Sequence, residues 1–437
     1  MTDTLTRMRD TGTAAPRTPL RTELRRGIPL WTGAAVALTL LVTLGAKADQ
    51  WQGDWGATLT RLTSANTLLC GPLTAAAACW QGGRERRART AELLSGVPRS
   101  RLRRAVMTAA PVALWAAAGY LVALAVLLAA NLPYASGRGP SLSLAVSDSC
   151  FLVSIALVGF VVGRLSPWRL TAPVLAVCTY VGLGIPNYLE SEARFLSPGG
   201  RTEASVSVPV WWFAPVMVAW LGGLAVTVLL AYAARRRFLA VVPLALAITA
   251  GTVVVHTGEN LFRDDPAADR RVCTESAPGT PQLCMSAVDA PLLPQASDAL
   301  KGMFSQLDGV PGAPATYVDQ RTDPKHGEAR LPSVTRGWGV VRNELTDPRG
   351  YAYNTVNGLL SRECPDSARK QDPQGFDRVS ATDRAVQHWL APLDGFDLPA
   401  PEYLTRLEAM PKADRKVWLG RFLATRKSCT PAEVPVL

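Results

Sequence analysis

Seven apolar runs, near 28–48, 63–82, 105–131, 145–163, 170–187, 209–233 and 238–256, fill most of the first 256 of 437 residues. A helix needs about 20 mainly apolar residues to cross about 30 Å of hydrocarbon. Only a helix or a closed barrel satisfies its own backbone there. The expected fold class is therefore a membrane all-α helical bundle of about seven transmembrane helices, followed by an extracytoplasmic α+β domain. The expected division is a tail over 1–27, spans over 28–256 with a basic loop at 83–104, and the outer domain over 257–437.

Charge sets the expected orientation. Residues 1–256 hold 24 Lys+Arg against 11 Asp+Glu, and residues 257–437 hold 22 against 24. The basicity belongs to the spanning half, where arginines flank apolar runs, so a nucleic-acid partner is not expected. With the N-terminus inside, nineteen Lys/Arg fall in the tail, the 83–104 loop, "GRLSPWRL" and "RRRF", and only five on the other side. That asymmetry puts those segments in the cytoplasm, and seven spans put the last 181 residues outside. "AKA" before Asp49 resembles a signal cleavage site, but the long basic leader and full-length apolar run favour a span. Arginine in excess of lysine and abundant alanine suggest a high-GC bacterial genome.

Cysteine placement agrees. Cys70, Cys79, Cys150 and Cys178 lie in or beside spans as small buried hydrophobes. Cys273, Cys284, Cys364 and Cys429 all lie in the half placed outside, where an even number suggests disulfides. Of three connectivities, Cys273–Cys284 with Cys364–Cys429 is favoured by proximity in sequence. Metal binding is the rival reading, but there is no CxxC and no His-rich partner.

In the outer half, "RVCTES", "QLCMSAV", "ATYVDQ" and "RGWGVVRNEL" read as strands. "PQASDALKGMFSQL", "TDRAVQHWLAPL", "PEYLTRLEAM" and "PKADRKVWLGRFLATRK" read as helices, the last with Pro411 in its first turn. Trp418, Leu419, Phe422 and Leu423 share one face, which is expected to pack on the domain core. Catalysis has little support: three histidines, His256, His326 and His388, no HExxH, no GxSxG, and no cysteine beside a base. Asp264–Asp265 reads as solvated charge.

The loop 83–104, "GRERRARTAELLSGVPRSRLRR", carries eight arginines and two glutamates. "RERRARTAELL" is a good helix former, and Gly96 and Pro98 stop it. Ala88, Ala91 and Leu94 share a side while Arg86, Arg87 and Glu92 point elsewhere, giving a short amphipathic helix near anionic headgroups. Setting topology explains the arginines. It explains neither the glutamates nor a helix and turn where "RRR" suffices elsewhere.

The pattern resembles the first cytoplasmic loop of type-2 ATP-binding-cassette (ABC) transporter permeases, in which the second span is followed by E-R-x-x-G-T-x-E-x-L, then a turn with Pro and basic residues. Glu85, Arg86, Thr90, Glu92, Leu93 and Leu94 fall within that spacing, followed by Pro98, Arg99 and Arg101; Arg89 replaces the family's glycine. The resemblance covers roughly residues 20–235. It implies that this segment is a coupling helix docking in a groove of a separate ATPase subunit, so that the spans move as rigid bodies. It also implies that the long loop "NYLESEARFLSPGGRTEASVSVPVWW" forms a lid at the outer mouth. Family members usually stop at six spans, and the added seventh span and outer domain look like some actinobacterial permease-like proteins.

The chain has no G-x-x-x-x-G-K-[ST] phosphate loop. No cofactor is expected in it; ATP and magnesium would belong to the ATPase, and the permease would pair with itself or a related permease. Polar residues within spans are few: Asn66, Asp148, Asn187 and His256. Asp148 and His256 are expected near the outer interface, where snorkelling to water makes them cheap. The leading expectation is the permease subunit of an ABC exporter. The alternative is a non-transporting membrane anchor for an outer binding or sensing domain.

Overall fold

The computed structural model describes residues 27–87, 100–135, 139–166, 168–200, 207–275, 280–320, 324–325, 327–393, 395 and 400–437. Each apolar run is helical. Helix α1 is Ile28–Gly45; α2, Trp55–Ala65, continues through a π-helical segment Asn66–Cys70 into α3, Gly71–Gly82. After the one-turn α4, Arg84–Arg87, come α5, Arg101–Asn131, α6, Leu142–Leu165, and α7, Thr171–Tyr188. Helices α8, Phe213–Ala233, and α9, Val241–Thr257, complete the bundle.

Among the described residues, α1, α5, α6, α8 and the stretch Arg237–Leu261 containing α9 are long and apolar enough to cross a membrane. The second expected run begins earlier than its apolar core, because Asp54 caps α2 by accepting from the N–H groups of Gly56 (2.7 Å) and Ala57 (3.2 Å). The fifth run is α7, whose one fully buried residue is Ala172.

Small residues bring the helices together. Carbonyl oxygens of α3 lie where side chains of α6 would stand: a Cβ added at Gly159 would be 2.5 Å from the Ala75 oxygen, and one at Gly163 1.9 Å from that of Cys79. Helices α1 and α5 meet the same way, at Gly33 and Gly119. Such contact replaces the hydrophobic drive that lipid does not supply. Two apolar clusters fill the bundle. One, with Ala78, Ala109, Phe160 and Leu229, lies at the end bearing α4; the other, with Leu44, Trp51, Leu127, Phe195 and Leu261, lies at the end bearing the C-terminal domain.

The C-terminal region holds a four-stranded sheet in the order β3–β4–β5–β6: Arg271–Cys273, Gln282–Ser286, Thr316–Val318 and Glu328–Arg330. The first pair is antiparallel and the other two are parallel. A separate two-stranded ribbon, β1 (Ser207–Pro209) on β2 (Phe262–Asp264), links the loop before α8 to the exit from α9. Helices α10, Leu293–Leu307, α11, Pro348–Leu360, α13, Pro373–Leu390, and α15, Lys412–Ala424, pack their apolar sides into one core. Shorter helices α12, Asp366–Gln371, and α14, Pro401–Ala409, complete it. Disulfides join Cys273 to Cys284, which face each other across β3 and β4, and Cys364 to Cys429.

Three expectations are corrected here. "RGWGVVRNEL" is not one strand: β8 (Gly339–Val341) turns back on β9 (Glu344–Leu345) at Arg342 and Asn343, whose φ of 54° and 64° suits a two-residue hairpin. With β7, Thr335–Arg336, they form a small third sheet. Pro411 stands just before α15 rather than in its first turn. Of the expected solvated pair, Asp264 is exposed but Asp265 is buried and accepts from the Ala267 N–H (3.0 Å). The α15 face does pack on the core: Leu419, Phe422 and Leu423 are buried, and Trp418 stacks on Phe422 at 5.2 Å.

Candidate functional site

Three regions carry chemistry. The first is the start of the basic loop. The Glu85 carboxylate takes both terminal nitrogens of Arg164, at the end of α6. Arg86 donates to the Leu165 carbonyl (3.2 Å). Arg87 lies 4.1 Å from the Trp80 ring centre and donates to the Trp80 carbonyl. Arg86 and Arg87 are thus engaged with helix ends rather than pointing away. They line a cavity of about 280 Å³ together with Trp80, Trp168 and Arg169. On the far side of the loop, Arg101 is exposed in the first turn of α5, where Ser100 accepts from the Arg103 N–H (3.3 Å). Thr90, Glu92, Leu93, Leu94, Pro98 and Arg99, and the expected helix beyond Arg87, lie outside the described residues.

The second region overturns an expectation. Asp148 has no exposed surface and does not snorkel. Two turns into α6, it is enclosed by side chains from two other helical segments. Its Oδ2 accepts from Tyr120 Oη (2.7 Å) on α5 and from Thr63 Oγ1 (2.8 Å) on α2. Asn66, at the start of the π-helical segment, faces the same carboxyl group. Asp148 Oδ1, both polar atoms of the Asn66 amide and Thr67 Oγ1 are buried without a hydrogen-bond partner. Covering them is the segment after α7. Phe195 is buried there, the Leu196 carbonyl accepts from Trp220 Nε1 (2.9 Å), and Gly199 rests on Thr67. Hydropathy located Asp148 but could not register its burial, which depends on residues 28 and 85 positions away. His256, by contrast, is exposed.

The third region joins the bundle to the C-terminal domain. Arg336, in β7, lies between Asp54 (3.4 Å) and Asp289 (3.2 Å), and all three side chains are about 95% buried or more. Beside it Arg342 donates to Gln52 Oε1 (2.5 Å) and lies over the Tyr134 ring, while Asn343 donates to the Tyr134 carbonyl. Asn131 fixes the turn that presents Asp54, accepting from the Gly53 N–H (2.7 Å) and donating to Thr58 Oγ1 (2.9 Å). Next to this joint, a groove of about 820 Å³ runs between the small sheet and α11, lined by Trp338, Asp347, Asn354, Asn357 and Glu363. No sequence signal marked this joint, since Arg336 and Asp54 are 282 residues apart.

Among the described residues, no group of three His, Cys, Asp or Glu side chains is placed to hold a metal ion. No family model matches the chain, and neither a curated protein nor a solved structure does.

Proposed function

We propose that this chain is the membrane subunit of an ABC exporter, driven by a separate ATPase that docks on the 83–104 loop. All seven apolar helices then cross the membrane, with the N-terminus in the cytoplasm and the C-terminal domain outside. For α7, whose hydropathy is the weakest support, the reading draws on Val174, Val177, Val181 and Ile185, which face away from the bundle as lipid-facing residues do. ATP and magnesium belong to the partner, and this chain is a transport subunit rather than an enzyme. It pairs with itself or with a related permease.

One observation carries the reading. The loop begins as a helical turn locked to the ends of two spans at once, through Glu85–Arg164 and Arg87–Trp80. A loop that only biases topology needs positive charge. A loop that transmits force needs rigid attachment to the helices it moves, and Glu85 supplies it.

The test is purification of the tagged full chain from its own host in mild detergent, with co-purifying proteins identified by mass spectrometry. A phosphate-loop ATPase is expected with the wild type and absent with Glu92→Lys, which reverses one charge in the loop. Recovery of no ATPase by a folded wild-type chain would discard the coupling role. The second reading, a membrane-anchored binding or sensing protein, draws support from the groove beside Trp338 and from the Arg336 joint. It expects an extracytoplasmic partner lost on deletion of residues 262–437, with Glu92→Lys silent.

A further inference from the structure

We propose that Asp148, with Asn66, Tyr120 and Thr63, forms a proton-binding site inside the bundle, reached from the end bearing the C-terminal domain. Two hydroxyl groups satisfy Oδ2, while Oδ1 has no donor and the Asn66 amide beside it has no partner. A proton on Oδ1 gives the carboxylic O–H an acceptor in the amide oxygen of Asn66. Among the described residues no arginine or lysine acts on this carboxyl group. The titratable groups that face it are Tyr120 on α5 and Cys70 at the end of the π-helical segment. Neither supplies a positive charge. An ionised carboxylate here could take the Asn66 amide N–H as a donor but would have no counter-ion among the described residues, so the neutral acid is the form that fits the closed cavity.

The route is short. Thr63, which holds Oδ2, also lines a crevice of about 10 Å³ with Thr60, Ser64, Leu144, Pro198, Gly199 and Phe262. That is room for about a single water. It admits a proton relay and excludes any organic cargo. Gly199 in the lining lies against Thr67: a Cβ there would fall 2.9 Å from Thr67 Cβ and Oγ1, so this loop closes down on Thr67 only with a glycine at that position. The π-helical segment serves the same site by turning Asn66 toward it, a use such segments commonly have.

The experiment is infrared difference spectroscopy on the purified full chain in lipid nanodiscs, with isotope-labelled aspartate to identify the band. The expected result is a carboxylic C=O band at neutral pH that shifts in deuterated water, disappears on alkalinisation and is absent in Asp148→Asn. Tyr120→Phe should move the band without abolishing it, because one hydrogen bond to the group is lost. Gly199→Ala should speed its deuterium exchange by wedging the loop off Thr67. Three outcomes each overturn the proposal. They are no carboxylic band from the labelled wild type at neutral pH, a band that sodium removes at constant pH, and a band that persists to the highest pH at which the protein stays folded.

Discussion

Glu328 and Asp383, both in the C-terminal domain, are perturbed in opposite directions. Glu328 accepts from the Lys325 N–H (2.8 Å) and from Arg271 (3.1 Å), and these bonds hold its carboxyl below the usual value of 4.5. Burial pushes Asp383 above its usual 3.8, and the facing Arg362 only partly opposes that. For Glu328 the folded value lies below the unfolded one, so its contribution is present above pH 4.5 and is lost as the pH falls through the folded value. For Asp383 the folded chain holds the proton more tightly, so acidification toward 3.8 favours the folded state. Glu328→Gln should therefore flatten the acid limb of a stability profile, and Asp383→Asn should steepen it. Near-ultraviolet circular dichroism of the full chain against pH checks both signs; equal slopes in the two variants would contradict the assignment. Neither perturbation was legible in the sequence: Arg271 lies 57 residues from Glu328, the nearby Lys325 N–H meets it only in the folded turn, and the burial of Asp383 is set by the tertiary fold.

Among the elements, the closest approach is that of α3 to α6, and it decides where the next prediction falls. At Gly163 the neighbouring atoms are backbone on both sides, so neither helix can yield by moving a side chain. Gly163→Val should cost about 3 kcal/mol or more by overpacking. It should also loosen the Glu85–Arg164 pair one residue away. Gly182→Ala in α7, with open space around it, is the control; it should be neutral or gain up to about 1 kcal/mol of helix propensity. Reversible unfolding in mixed micelles separates the two. The helices themselves were legible, since long apolar runs leave the backbone few alternatives. Their interruptions were not: "NTLLCG" reads as unbroken helix, and only the buried polar groups around Asn66 give the π-helical segment a purpose. The β8–β9 hairpin did carry a signal, Asn343 in a position that favours left-handed backbone, which the surrounding apolar residues masked.

At the scale of the whole molecule, the most deeply buried link between the two halves is the cation of Arg336. Arg336 is the positive charge between Asp54, which also caps α2, and Asp289, which accepts from Ser286 Oγ (3.2 Å). These pairs tie the turn before α2 to the small sheet that borders the groove. Removing the cation alone takes from the buried Asp54 and Asp289 carboxylates the positive charge they share, which costs about 3–5 kcal/mol. Arg336→Met should accordingly expose the 46–54 turn and the β7–β9 sheet to limited proteolysis. Neutralising the acids in the same chain, as Arg336→Met with Asp54→Asn and Asp289→Asn, should recover most of that stability. The Asn that replaces Asp54 still caps α2, and the two acids that Arg336 bridged are neutral. If the triple variant is as protease-sensitive as the single one, packing of the Arg336 stem rather than charge holds the joint. If it recovers stability but the domain rotates freely on the bundle, the ion network sets orientation. In that case Arg336 and Asp54 fix how the small sheet and its groove are turned relative to the bundle.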